Sequence, residues 1–185
     1  LDTAREVAEK FFSKSGDIKE LAGERNPNFL VTTTHGKFVL KIHSSEEVSQ
    51  IQIQQSALAA LEQVNKFQTP TTVPANSGEL LVDIGEGKFA RMLTWIDGDL
   101  WSQSQDLGES HKSQLGRLIA TVDSKLATVD CTSFRTTLDQ PFGWNALQAK
   151  ELTADIALIQ DTELRAQVST IFDRITNRRL AKVLA

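Results

Sequence analysis

A single lysine constrains this chain more than any other feature. Gly36-Lys37-Phe38-Val39-Leu40-Lys41-Ile42 reads as a tight turn feeding a short apolar strand that carries Lys41, and a long helical stretch follows at once. An ammonium on a buried strand loses its hydration, which is costly unless an anion meets it. A phosphate group is the obvious candidate. The competing explanation is a lysine on an edge strand that snorkels to water, and the strand alone does not separate the two.

The rest of the composition narrows the class. The 185 residues suffice for one fair-sized domain or two small lobes. Apolar residues at 40% and charged residues at 24% are those of an ordinary soluble globular protein. A net charge of −4 argues against a partner with a nucleic-acid backbone, which calls for a basic excess on one face. The one dense basic group, Arg174, Arg178, Arg179 and Lys182, fits the solvated side of a helix. Cys131 is the single cysteine, so no intramolecular disulfide can form, and Cys131-Thr132-Ser133 supplies no local base for a nucleophile. No stretch approaches the roughly 18 apolar residues of a membrane span, and Leu1-Asp2-Thr3-Ala4-Arg5-Glu6 is not a signal peptide. A cytoplasmic protein without a membrane partner is the expectation. The chain begins without Met and stops at Val183-Leu184-Ala185, as a piece of a longer protein would.

Along the chain, Thr3-x-x-Glu6 predicts a capping box, and Ala4, Val7, Ala8, Phe11 and Phe12 share one helical face up to Gly16. Residues 18–21, 29–33 and 38–42 then read as a three-stranded antiparallel meander with His35-Gly36 at a turn. Ser44-x-x-Glu47 predicts a second capping box, opening a helix striped by Val48, Ile51, Ala57, Leu58 and Leu61. Thr69-Pro70-Thr71-Thr72-Val73-Pro74 reads as an extended connector. Residues 80–84 and 89–94 flank Gly85-Glu86-Gly87 as a second hairpin. Beyond Trp95 only helical periodicity remains: Leu115, Leu118, Ile119, Val122 and Leu126, then Leu164, Val168, Ile171, Phe172 and Ile175, the latter opened by Asp161. Trp144, Leu147 and Leu152 suggest one or two shorter helices between them.

This order of elements resembles the smaller lobe of the protein-kinase-like fold, and within it the aminoglycoside and choline phosphotransferase superfamily. The resemblance rests on an ordered set: Leu21-Ala22-Gly23-Glu24-Arg25-Asn26-Pro27-Asn28-Phe29-Leu30-Val31, Lys37-Phe38-Val39-Leu40-Lys41-Ile42, the segment from Gln54 to Leu61, Val73-Pro74, and Arg91-Met92-Leu93-Thr94-Trp95-Ile96-Asp97-Gly98. Leu115-Gly116-x-x-Ile119-Ala120-x-x-Asp123-x-x-Leu126 matches the helix after the link. Within the superfamily the chain is most similar to hydroxylysine kinase and to the phosphotransferase domains that head some class III aminotransferase fusions. The resemblance implies an α+β fold: a protein-kinase-like N-lobe with an antiparallel sheet of about five strands and a crossing helix, then the helical start of an incomplete C-lobe. The lobe and its leading helix would span residues 1–96, and the hinge and helical start 97–185.

The resemblance also implies roles. Lys41 would reach the α- and β-phosphates of a nucleotide. The loop before the second strand holds one glycine, so Asn26 and Asn28 would donate from side chains in its place, although Asn-Pro-Asn is also good turn chemistry by itself. Gln54 stands where kinases place a glutamate, and it can accept a hydrogen bond from Lys41 but cannot neutralise it. Glu46 and Glu47 are acidic alternatives better explained by the helix N-terminus. Leu93 opens the hinge, where backbone groups of Thr94 and Ile96 would meet the adenine edge. Asp97-Gly98-Asp99 fits turn hydrogen bonding better than a metal site.

The superfamily transfers phosphate with an H-x-D-x-x-x-x-N loop and a later metal-binding Asp. His35, His43 and His111 begin no such loop, and no P-loop, G-x-S-x-G or His/Cys metal spacing replaces it. The expectation is therefore the nucleotide-binding N-terminal fragment of a small-molecule kinase, not catalytically complete, with weak or absent ATP or GTP binding. The parent would use the nucleotide with Mg to phosphorylate a hydroxyl on an amine-bearing metabolite, and would supply the remaining C-lobe or fused domains. The alternative is a non-catalytic kinase-like regulatory or interaction module in a multidomain, aminotransferase-type protein. A third reading is an α+β binding domain without kinase ancestry.

Overall fold

The computed structural model describes residues 1–23, 26–64, 66–104, 108–138 and 152–177, with side chains to 173. The chain divides into two compact units, Leu1–Thr137 and Leu138–Ala185.

The first unit is built on a sheet. β1 (Asp17–Leu21), β2 (Asn28–Thr33) and β3 (Gly36–Ser44) form the expected antiparallel meander. β6 (Lys88–Thr94) lies antiparallel against the free edge of β3, and its own far edge is shared by β4 (Thr72–Val73) and β5 (Val82–Gly85). The order is β1-β2-β3-β6-β4, with β5 also on β6. β4 departs from the connector read in the sequence. Two residues between Pro70 and Pro74 are too few to show alternation, and the pairing becomes visible only once β6 is beside them.

Alternation sorts each strand into two faces. On one, Phe29 and Val31 of β2, Leu40 of β3, and Ala90 and Met92 of β6 are buried, with Leu40 directly opposite Phe29 on one side and Met92 on the other. α1 (Asp2–Phe12) adds Ala4, Val7, Ala8 and Phe12 to this core. Its start differs from expectation: Leu1 is the N-cap and makes no side-chain cap bond. The helix begins one residue before Thr3, which places Thr3 inside the first turn, where it cannot cap. It also ends before Gly16. Ser13 turns left-handed at φ 52, and the Ser13 and Lys14 N–H groups donate to the carbonyls of Glu9 and Ala8.

Gly16 has a different task. A Cβ there would lie 2.0 Å from the Thr32 carbonyl oxygen, so only glycine allows the backbone approach that starts β1 against β2. Gly16→Ala is expected to destabilise the sheet by about 1–3 kcal/mol, read as a lower urea midpoint at unchanged m-value.

A single 3-10 turn, Ser45–Glu47, leads from β3 into α2 (Val48–Glu62). The Ser44–Glu47 capping box forms as read: the Ser44 N–H donates to the Glu47 carboxylate at 3.1 Å. Of the α2 stripe, Ile51 is fully buried and the others are half-buried. α3 (Glu109–Leu126) contacts α2, and Lys125 donates to Gln63 at 3.3 Å. A short helix α4 (Arg135–Leu138) follows.

In the second unit, α5 (Thr162–Asn177) starts as expected, with Asp161 accepting from the Glu163 and Leu164 N–H groups at 2.9 and 3.0 Å. Trp144, Leu147 and Arg178, Arg179 and Lys182 lie outside the described residues. Among the described residues, no helix is long and apolar enough to cross a membrane.

Candidate functional site

The face of the sheet opposite α1 carries the polar residues. Register pairs Asn28 of β2 with Lys41 of β3, and Lys41 with Arg91 of β6, so the three stand in one row across adjacent strands. Val39 and Leu93, two residues along their strands and paired with each other, continue the same face as an apolar step. Lys41 is half-buried, and among the described residues it makes neither a hydrogen bond nor an ion pair. Burial first, then the neighbouring Arg91 charge, hold its pKa below the usual lysine value.

Arg91 is 3% exposed. Its Nη2 donates to Gln54 Oε1 of α2, while Nε and Nη1 have no partner. Burial lowers its pKa, and the Glu47 carboxylate opposes that fall. Gln54 therefore serves Arg91, not Lys41 as the sequence suggested. The reason is register: Arg91 lies directly across from Lys41 on β6 and is the more deeply buried of the two cations under α2. Sequence reading passed over Arg91 as a functional residue. The signal was present, since Phe89, Arg91 and Leu93 share one strand phase, as Val39 and Lys41 do.

A second group ties the loop before β2 to the start of α2. The Asn26 amide donates to Glu47 Oε1 at 2.8 Å and faces His43 Nδ1 at 3.2 Å. His43 is 5% exposed, and its pKa is pushed down to about 4, by burial and then by the Arg91 charge. It is neutral at pH 7. With Nδ1 accepting from Asn26, the proton sits on Nε2, which has no partner. Glu47 stays ionised, because the bonds from Asn26 and Ser44 outweigh its burial. Gly23 closes the loop: a Cβ would lie 2.4 Å from the Asn26 carbonyl and 2.5 Å from Asn28 Nδ2. Asn26 is thus engaged within the protein, and Asn28 stands beside Lys41 with its Oδ1 unpartnered.

At the end of β6, the Thr94 N–H donates to Thr71 O at 2.9 Å, and the Thr94 hydroxyl accepts from the Thr71 N–H at 2.9 Å. The Trp95 N–H donates to Lys37 O. Ile96 makes no backbone hydrogen bond among the described residues, and with Thr69, Thr71, Thr94 and Trp95 it lines a recess of about 310 Å³. Asp97 accepts from Lys37 at 2.6 Å and from Trp95 Nε1 at 3.0 Å, and these bonds hold it below the usual carboxylate range. It is used locally. Among the described residues no cluster of His, Cys, Asp and Glu could hold a metal ion.

A lysine on the third strand of an antiparallel sheet, a helix entering directly after that strand, and a link that leads from the last long strand into helices define the smaller lobe of the protein-kinase-like fold. Residues 17–184 match the phosphotransferase enzyme family APH, and the chain belongs to that family. Solved structures agree on the fold. A microcompartment-associated aminopropanol kinase is 21% identical over 67% of this chain and 40% of its own, with a TM-score of 0.53. A spectinomycin phosphotransferase solved with ADP and spectinomycin is 11% identical over 94% of this chain and 52% of its own, at 0.55. A Ralstonia eutropha protein classed with the aminoglycoside phosphotransferases is 14% identical over 96% of this chain and 53% of its own, at 0.57. The chain thus spans about half the length of these structures or less. No curated protein sequence matches it.

Proposed function

We propose that this chain is the nucleotide-binding portion of a small-molecule kinase that moves the γ-phosphoryl of ATP or GTP to a hydroxyl on an amine-bearing metabolite. One observation carries the reading: Lys41 is half-buried at the centre of a polar row and, among the described residues, pairs with no anion. Its partly desolvated ammonium stays open to solvent, and a phosphate supplied from outside gives it the anion it lacks. The surroundings fit a nucleotide. Val39 and Leu93 offer an apolar step beside Lys41, and the recess at Thr94 and Ile96, lined also by Glu62, Val64 and Phe67, is of a size for a purine edge.

In this reading residues 1–96 form the smaller lobe and 97–185 the hinge and the start of the helical lobe. Lys41 orients the α- and β-phosphates, Asn28 lies beside it in the row, and Asn26 holds the covering loop to α2 through Glu47. Magnesium would shield the phosphate charge, and no cluster of His, Cys, Asp and Glu among the described residues would hold it. The residue that takes the hydroxyl proton and the acceptor pocket belong to other parts of the protein, which acts in the cytoplasm. A non-catalytic, kinase-derived module is the second reading, favoured by Gln54 in place of glutamate and by its bond to Arg91.

Phosphotransfer from radiolabelled ATP to a panel of amino alcohols, by the protein that carries this chain, tests the proposal. Lys41→Ala is expected to lower kcat/KM by about 100-fold or more. No transfer to any acceptor by the wild type would favour the module, and equal rates in wild type and variant would remove Lys41 from the mechanism.

A further inference from the structure

We infer that Arg91 is a second anion-binding cation of this site, acting with Lys41 on one phosphate-bearing ligand; the inference rests on the nucleotide reading above. Three observations carry it. Register makes Lys41 and Arg91 direct cross-strand partners, which puts their β-carbons about 5 Å apart. Arg91 is buried, yet two of its three guanidinium nitrogens, Nε and Nη1, have no acceptor. Among the described residues no carboxylate pairs with either cation.

Two like charges side by side in a half-buried row repel each other and are poorly hydrated. The neutral Gln54 occupies one arm of the guanidinium without cancelling its charge. The Glu47 carboxylate acts on Arg91 through its charge without pairing with it, and its oxygens accept from Asn26 and from Ser44. The planar fork of an arginine suits phosphate oxygens, and the compact lysine ammonium suits the same group as a point charge. A diphosphate on this row would meet Lys41 directly, and it would reach Nε and Nη1 of Arg91, which are closed to solvent, only as the groups covering them move aside. The arrangement differs from a protein kinase, where a helix glutamate neutralises the strand lysine. Here the helix holds a second cation in place through a glutamine, and the ligand brings the negative charge.

The test compares ADP, adenosine and inorganic pyrophosphate by calorimetric titration of the full 185-residue chain, wild type against Arg91→Met, Arg91→Lys and Gln54→Glu. Arg91→Met is expected to weaken ADP and pyrophosphate at least about tenfold and adenosine little, with Arg91→Lys in between. Gln54→Glu keeps the guanidinium and the packing but supplies an internal carboxylate, so it is expected to weaken pyrophosphate severalfold even if Arg91→Met folds poorly. Stronger pyrophosphate binding by Gln54→Glu overturns the inference, as does an equal loss of adenosine and ADP in Arg91→Met, the mark of a purely structural arginine. Pyrophosphate binding that depends on Arg91, without ADP binding, keeps the cation pair and removes the nucleotide reading. Binding of neither ADP nor pyrophosphate by the wild type removes both.

Discussion

Truncating Leu40 to alanine is expected to lower stability by about 2–5 kcal/mol. Leu40 is fully buried on the central strand β3, between Phe29 and Met92, which are themselves buried on the strands either side. Hydrogen-bonded neighbours on both edges keep the backbone from closing over the space, so the cavity term adds to the lost transfer energy. Domains of this size hold a margin of about 5–15 kcal/mol, and the loss would consume a large share of it. Urea unfolding followed by circular dichroism reads it directly. Val39→Ala, next along the strand but half-buried on the opposite face, is the control and should cost clearly less. Equal effects would mean that the core does not lie on the α1 face of the sheet.

Acidification should act almost as strongly, through His43. Its folded pKa of about 4 lies below the usual histidine value of 6.5, so the unfolded chain binds the proton more readily than the folded one. The contribution is complete above about pH 6.5 and is lost as the pH falls toward 4. Each tenfold difference in proton affinity between the two states is worth about 1.4 kcal/mol, so the full loss approaches about 3 kcal/mol. Burial is the largest cause, and of the charges facing the ring Arg91 and Lys41 oppose its protonation while Glu47 favours it. Glu47, whose own pKa is lowered, loses its contribution in the same direction when it protonates at lower pH. Denaturant midpoints measured from pH 7.5 to 4.5 should fall in wild type and fall much less in His43→Gln. Parallel profiles would contradict the burial of a neutral His43 beside Arg91.

Much of the fold was legible because local chemistry and long-range packing agree. Strand alternation around Gly36, and again around Gly85-Glu86-Gly87, marked both hairpins, and the Ser44–Glu47 and Asp161 signals marked two helix starts that formed. Thr3 failed as a cap because α1 starts at Asp2. β4 was hidden because two residues carry no period; its identity comes from pairing with β6. The candidate site was legible at Lys41, where a charge interrupts an apolar strand. Arg91 carries the same interruption in β6, but its meaning depends on which strand lies beside it, and only the β3–β6 register puts it next to Lys41. Likewise, the choice of Gln54 between two cations, and of Asn26 for Glu47 and His43, is settled by three-dimensional neighbours far apart in sequence.

The most direct measurement is an equilibrium titration of this chain with ADP, wild type against Lys41→Ala, at fixed low salt and pH 7.5. Saturable binding by wild type that weakens at least about tenfold in Lys41→Ala is what a phosphate-gripping lysine predicts. Saturable binding with superimposable curves for wild type and Lys41→Ala would contradict it.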